Sequence, residues 1–225
     1  MREDYYLNLD LIRYKTLERK IPFWYIGHGG GINAGSKEIF ENEFRWNVWT
    51  ALAMGSKGYQ YFCYWTPPAA ANCNTEIGFM IDLNGNKTKY YDYAKELNKD
   101  IVAFGKKLLP CHADGIIQVS DYIYEVYQQR FNYGPLVKTS GDNAIVGCFR
   151  NATSGKYLLL VTGQRTDFVD STTPTVTLTF DNTVTSVDLL YSADSSTTSA
   201  NIVDGTLTLS VPHGEAYLLE LNVTE

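Results

Sequence analysis

The stretch from Glu43 to Trp65, EFRWNVWTALAMGSKGYQYFCYW, limits what this chain can fold into more than any other part of it. Up to Met54 its apolar residues keep helical spacing: with Phe40 just upstream, Phe44, Val48, Ala51 and Leu52 fall on one repeating face. Gly55 and Gly58, on either side of Ser56-Lys57, then break the pattern as a helix C-terminus followed by a tight turn does. Tyr59 to Trp65 is an almost unbroken aromatic run of strand-forming residues. A strand apolar on both faces is expected to be a parallel strand buried under helices, with Cys63 as a small core residue within it. Helix, glycine turn and buried strand together make the second half of a βαβ unit.

The flanking segments extend the unit. Tyr5 to Arg19 places Tyr6, Leu9, Ile12 or Arg13, and Leu17 at roughly helical spacing, and Lys20 closes it. Ile21 to Ile26 is a short apolar run with Pro22 near its start, where a strand tolerates proline best. His28-Gly29-Gly30-Gly31 follows as a loop. Ser36, or Gly35 before it, is the expected N-cap of the central helix, with Glu38 in its first turn. Downstream, Thr66-Pro67-Pro68 ends the strand, and Asp82-Leu83-Asn84-Gly85-Asn86 is a turn signal. Lys89 to Leu109 is a second long helix, with Tyr90, Tyr93, Ala94, Leu97, Ile101 and Phe104 on one side and Pro110 at its end. The order α-β-α-β with short connections predicts a parallel sheet.

From about Cys111 the pattern changes. Val176, Leu178 and Phe180 alternate with threonines, and so do Leu207, Leu209 and Val211. Tyr157 to Val161, Val187 to Tyr191 and Tyr217 to Leu221 are further short runs, separated by turns such as Ser154-Gly155 and Asp204-Gly205. This predicts antiparallel sheet with one wet face, a β-sandwich. The fold class is therefore α/β plus all-β, divided into residues 1–112 and 113–225, and the second segment is expected to be soluble on its own.

Composition excludes several classes of function. A net charge of −6 supplies no basic stripe for nucleic acid. No apolar run is long enough for a transmembrane helix. The four cysteines show neither CxxC spacing nor a Cys/His cluster, so no metal is expected. The segment GHGGG lacks a following GK[ST], and no cofactor is expected. The first ten residues, MREDYYLNLD, lack the apolar core of a signal peptide, which leaves extracellular and cytoplasmic locations both open. Seventeen tyrosines and four tryptophans favour core and sheet packing, with carbohydrate recognition as the functional alternative.

FRWNVWTALAMGSKGYQYFCYWTPP, followed by IGFMIDLNGNKTKYYDYAKELNKDI, resembles the end of a (β/α)8 (TIM) barrel in β-galactosidase-like glycoside hydrolases. In such enzymes the last barrel strand often ends in tryptophan, a Gly-hydrophobic-hydrophobic-Asp-x-x-Gly turn and a closing helix come next, and an accessory β-sandwich commonly follows. The resemblance implies that Tyr59–Trp65 is the last strand and Pro22–Gly27 the one before it. A closed barrel cannot be made from two strands. It further implies either a C-terminal fragment of a longer protein or a chain whose remaining barrel elements come from another chain, inactive alone, with carbohydrate and the missing N-terminal barrel portion as partners.

The same resemblance places the nucleophile of such enzymes at the end of the penultimate strand, which here reads Tyr25-Ile26-Gly27-His28-Gly29, without a carboxylate. Glycoside hydrolysis usually needs a carboxyl pair. No catalytic residue is assigned, and a non-catalytic carbohydrate-binding or interaction protein is the competing class. Trp65 at the end of its strand is expected to form a sugar-stacking floor, with His28 at the barrel mouth and Tyr25 and Tyr61 lining it. Glu41 and Arg45, four residues apart on the helix, are expected to form a surface or inter-helix ion pair of small value.

Overall fold

The computed structural model describes residues 4–30, 38–68, 78–120, 123–164, 173–192 and 196–224. Its helices are α1 (Tyr5–Arg19), α2 (Glu41–Ala53) and α3 (Lys89–Leu108), and β1 (Trp24–His28) and β2 (Gly58–Phe62) are threaded between them. The strands β3 (Cys111–Val119), β4 (Leu136–Gly141), β5 (Ala144–Asn151), β6 (Tyr157–Gly163), β7 (Thr175–Phe180), β8 (Val184–Tyr191), β9 (Thr197–Ala200), β10 (Thr206–Ser210) and β11 (Ala216–Val223) follow.

β1 and β2 pair in parallel, from Trp24 opposite Gly58 to His28 opposite Phe62. Helix α1 ends where its sequence implies, with Lys20 in the left-handed conformation that closes a helix. Of the two alternatives at its third position Arg13 is inside and Ile12 outside, while Asp10 is also buried and Leu17 only half-buried. Arg13 is held there by Asp10 at 2.7 Å and by the carbonyl of Ala113 at 2.9 Å, so its charge is paired within the core.

Helix α2 begins later than expected. Phe40 is its N-cap, and the expected caps Ser36 and Gly35 lie outside the described residues. Glu38 precedes the helix and pairs with Lys89 at the start of α3. From Phe44 to Ala53 only Asn47 escapes burial, because the helix is covered on opposite sides. One side meets β1 and β2, and the other lies on β5 and β6. A Cβ at Gly147 would sit 2.4 Å from the carbonyl oxygen of Ala53, so only glycine on β5 admits the C-terminus of α2 this closely.

The later strands form two antiparallel sheets, in the orders β3-β5-β6-β11-β8-β9 and β10-β7-β4. Ile117, Val146, Leu159, Val161, Leu219 and Leu221 of the larger sheet share a buried cluster with Val176, Leu178, Leu207 and Leu209 of the smaller one. The expected wet face exists on the smaller sheet, where Thr175, Thr177 and Thr208 point outward, and on β8 and β9 at one edge of the larger one. The central strands of the larger sheet are apolar on both faces. Ile145, Phe149, Leu158, Leu160, Leu190 and Leu218 alternate with the inner set and join a second cluster with Tyr6, Leu9, Trp46, Trp49, Leu97 and Phe104 of the helices. The helices are the second cover of this sheet, and the packing crosses the sequence position near residue 113.

Candidate functional site

Period-two alternation gives the β1–β2 pair two unlike faces. Tyr25, Tyr59 and Tyr61 turn toward the helices: Tyr61 stacks on Phe44 at 5.4 Å between ring centroids, and Tyr25 meets Tyr59 at 5.6 Å. Burial raises the hydroxyl pKa of Tyr59 and Tyr61 well above the phenol value. The Tyr59 hydroxyl donates to Asn47 Oδ1 at 2.8 Å and lies where a Cβ on Gly27 would fall, 1.7 Å away. Glycine at position 27 is the condition for this tyrosine layer under the strands.

Trp24, Ile26 and Phe62 occupy the opposite face and are 61%, 60% and 58% exposed. The expectation that Tyr59–Trp65 is buried on both faces is thus corrected: β2 ends at Phe62, and among the described residues only one face of the pair carries helices. Cys63 is half-buried rather than core, with its Sγ 2.9 Å from the carbonyl of Trp65. The Phe62–Cys63 peptide bond is cis.

His28 ends β1 on the open face, opposite Phe62, and the next amide, Gly29 N–H, donates to the Phe62 carbonyl at 2.7 Å. The imidazole is accessible, yet it is desolvated enough by its surroundings that its pKa falls below the ordinary histidine value. Neither β1, WYIGH, nor β2, GYQYF, contains a carboxylate.

Trp65 lies just past the end of β2 and is 52% exposed. Residues 79–88 fix it there. Thr66 N–H donates to the Ile81 carbonyl at 2.8 Å, and Ile81 N–H donates to the Tyr64 carbonyl at 2.9 Å. The Thr66 hydroxyl bonds the Ile81 carbonyl and accepts from Phe79 N–H, at 2.6 and 2.9 Å. The indole edge then rests beside Gly85, in the turn that Asp82 caps by accepting from Asn84 and Asn86 amides at 2.8 and 2.7 Å. Backbone and side-chain bonds from Asn86, with further amides of the turn, hold the Asp82 carboxyl below its usual pKa.

The structure therefore brings His28 and Trp65 to the same C-terminal end of the parallel pair and turns Tyr25 and Tyr61 to its covered face, against Tyr5 of α1 and Phe44 of α2 respectively. The Glu41–Arg45 pair of the sequence does not form as expected. Arg45 is buried and binds Asp100 of α3 at 3.0 Å and Glu215 at 2.8 Å, with its Nε on the Gly214 carbonyl at 3.1 Å. Desolvation opposes the charge of Arg45, and Glu215 and Asp100 outweigh it, so its pKa is raised. No helix among the described residues is long and apolar enough to cross a membrane.

No protein-family model matches the chain, and no curated protein matches it. Among solved structures it is similar to a GH30 endoxylanase from Clostridium papyrosolvens C71, at 10% identity and a TM-score of 0.45, over 96% of this chain and 46% of that one. It is also similar to Xyn30A, a glycoside hydrolase family 30 subfamily 8 xylanase from Clostridium acetobutylicum, at 12% identity and a TM-score of 0.41, over 92% and 44%. A third is CelM2, a bifunctional glucanase-xylanase from a metagenome library, at 15% identity and a TM-score of 0.30, over 37% and 16%. The chain spans less than half the length of each of these structures.

Proposed function

We propose that the chain is the C-terminal part of a glycoside-hydrolase-like protein of the β-galactosidase-like kind that acts on carbohydrate. Residues 1–112 would be the closing units of its barrel and residues 113–225 its accessory β-sandwich. The observation that carries this reading is the place of Trp65: a half-exposed indole at the C-terminal end of a parallel strand, the end where ligands gather in such sheets. His28 flanks the same end as a polar contact, and Tyr25 and Tyr61 support the sheet from behind. The open face of Trp24, Ile26 and Phe62 would line the barrel interior and the remaining strands would add at the edges of the pair, so the chain alone would be inactive. Because His28 stands where a carboxylate would be expected, a second reading is a carbohydrate-binding protein without hydrolytic activity.

The experiment is a paired measurement on Trp65→Ala in the protein with its barrel complete. A sugar platform predicts weaker oligosaccharide binding, on the order of 1 kcal/mol, and a stability loss smaller than the roughly 3–5 kcal/mol of a buried tryptophan. Collapse of the fold, or unchanged affinity, would make Trp65 a packing residue. Turnover of aryl glycosides by the same protein separates the two readings.

A further inference from the structure

The first turn of α2 and the turn before β11 enclose an open cleft of about 370 Å³, lined by Phe40, Glu41, Asn42, Arg45, His213 and Glu215. It lies apart from Trp65 and takes no part in the site described above. We propose that this cleft binds a neutral sugar of one or two pyranose units.

Charge narrows the ligand first. Arg45 is matched by both Asp100 and Glu215, so with Glu41 in the wall the cleft is net negative and disfavours phosphate or carboxylate. A metal ion is not served either: among the described residues, no group of three or more His, Cys, Asp or Glu side chains is arranged to hold one. An organic cation would meet the Arg45 guanidinium in the same wall, while Glu215 is already engaged by Arg45 and by the Ser192 hydroxyl. What remains is a neutral molecule with many hydroxyls.

The lining suits such a molecule. Phe40 is 42% exposed and offers an apolar ring face to the C–H side of a pyranose. Glu41 supplies a carboxylate acceptor for adjacent hydroxyls. Nε2 of His213 is buried without a hydrogen bond to any described residue, so turning this nitrogen to a ligand hydroxyl gives up no bond that it makes. The three cation-to-carboxylate and carbonyl bonds of Arg45 hold the floor rigid. The volume falls at the small end of ligand sites, which suits one or two sugar rings rather than a chain.

The test is NMR titration of the full chain with D-xylose and D-glucose, with methylammonium and inorganic phosphate as the other arms. The sequence has three histidines, so the Cε1–H signals of His213 and His28 are assignable and report separately on the cleft and on the strand-end site. We expect a saturable shift at His213 with sugar, in the millimolar range. Phe40→Ala and Glu41→Gln should each weaken it by about tenfold or more, and Trp65→Ala should leave it unchanged. Circular dichroism melts check that each variant is folded. A response at His28 alone would support the strand-end reading and overturn this one. So would a flat His213 signal with both sugars, a response only to methylammonium or phosphate, or an affinity indifferent to Phe40→Ala.

Discussion

The Arg45 guanidinium in α2 lies 2.8 Å from the carboxylate of Glu215, a residue 170 positions later that leads into β11. The same nitrogen reaches Asp100 of α3 at 3.0 Å, so one side chain ties two helices to the large sheet. Each of the three side chains is largely withdrawn from solvent, and a single cation offsets two carboxylates.

Replacing that cation is expected to be costly. Arg45→Met should lower stability by about 3–5 kcal/mol at neutral pH, since it leaves two carboxylates buried without their partner. Arg45→Met combined with Glu215→Gln should recover part of the loss, because one uncompensated charge is removed with its partner. Urea midpoints of the single and double variants provide the measurement. A loss of only a few tenths of a kcal/mol would place the pair among surface interactions.

The spacing of Glu41 and Arg45 could not reveal this arrangement. An i,i+4 Glu–Arg pair reads as a solvated face, and the true partners lie 55 and 170 residues downstream, beyond any local pattern. Other features were legible. The limits of α1 follow from its periodicity, and the βα unit follows from the helix, the Gly55–Gly58 turn and the aromatic strand. The two-sided burial of the large sheet also has a signal: AIVGCF in β5 and YLLLV in β6 are continuous apolar runs, unlike the alternating TVTLTF of β7. That His28 and Trp65 fall at strand ends was readable, and the facing of the strand residues partly so. Tyr25 and His28 are separated by an odd number of positions on one strand and cannot share a face. Which face of the parallel pair lacks helices was not readable, since both carry aromatics.

A second ion cluster sets an acid limit on stability. Glu220 of β11 is 2.7 Å from Lys107 and 2.6 Å from Lys156. Burial works to raise its pKa, but the two ammonium groups outweigh burial and hold it below the usual carboxylate value. The unfolded chain, with glutamate near about 4.3, therefore binds more protons than the native one in the window below that value. Stability from this cluster is complete above the unfolded pKa and is lost as pH falls through the folded one. Thermal midpoints should drop on acidification below about pH 4, and Glu220→Gln should flatten that part of the profile. An unchanged slope in the variant would assign the acid sensitivity to other carboxylates.

Thiol chemistry separates buried from accessible cysteines in the same way. Burial pushes Cys111 to about 11 and Cys148 to about 12. The thiolate is the reactive form, so both should resist iodoacetamide at neutral pH in the native chain and react once it is unfolded. Peptide mass spectrometry after labelling with and without denaturant reads this directly. Native-state modification of Cys148 would mean that the sheet opens readily there.

The last prediction concerns residues 113–225 expressed alone. Their sequence suggests a self-sufficient sandwich, with alternating strands and polar turns. The packing argues otherwise, because Ile116, Ile145, Phe149, Leu158, Leu160, Leu190 and Leu218 lie under the helices and are at most 5% exposed. Fully burying one such side chain contributes about 1.5–3 kcal/mol, so exposing seven removes an amount on the order of the whole stability of a domain, about 5–15 kcal/mol. A contiguous apolar face of that kind on a sheet also promotes association. We expect the segment to form oligomers or precipitate in size-exclusion chromatography with light scattering, while the full chain retains a cooperative melt. Replacing Phe149, Leu160 and Leu218 with threonine should keep strand propensity while wetting the face. If exposure of the face is the cause, this triple variant of the segment becomes monomeric. If the unmodified segment is already monomeric and melts as cooperatively as the full chain, the helices are a dispensable cover.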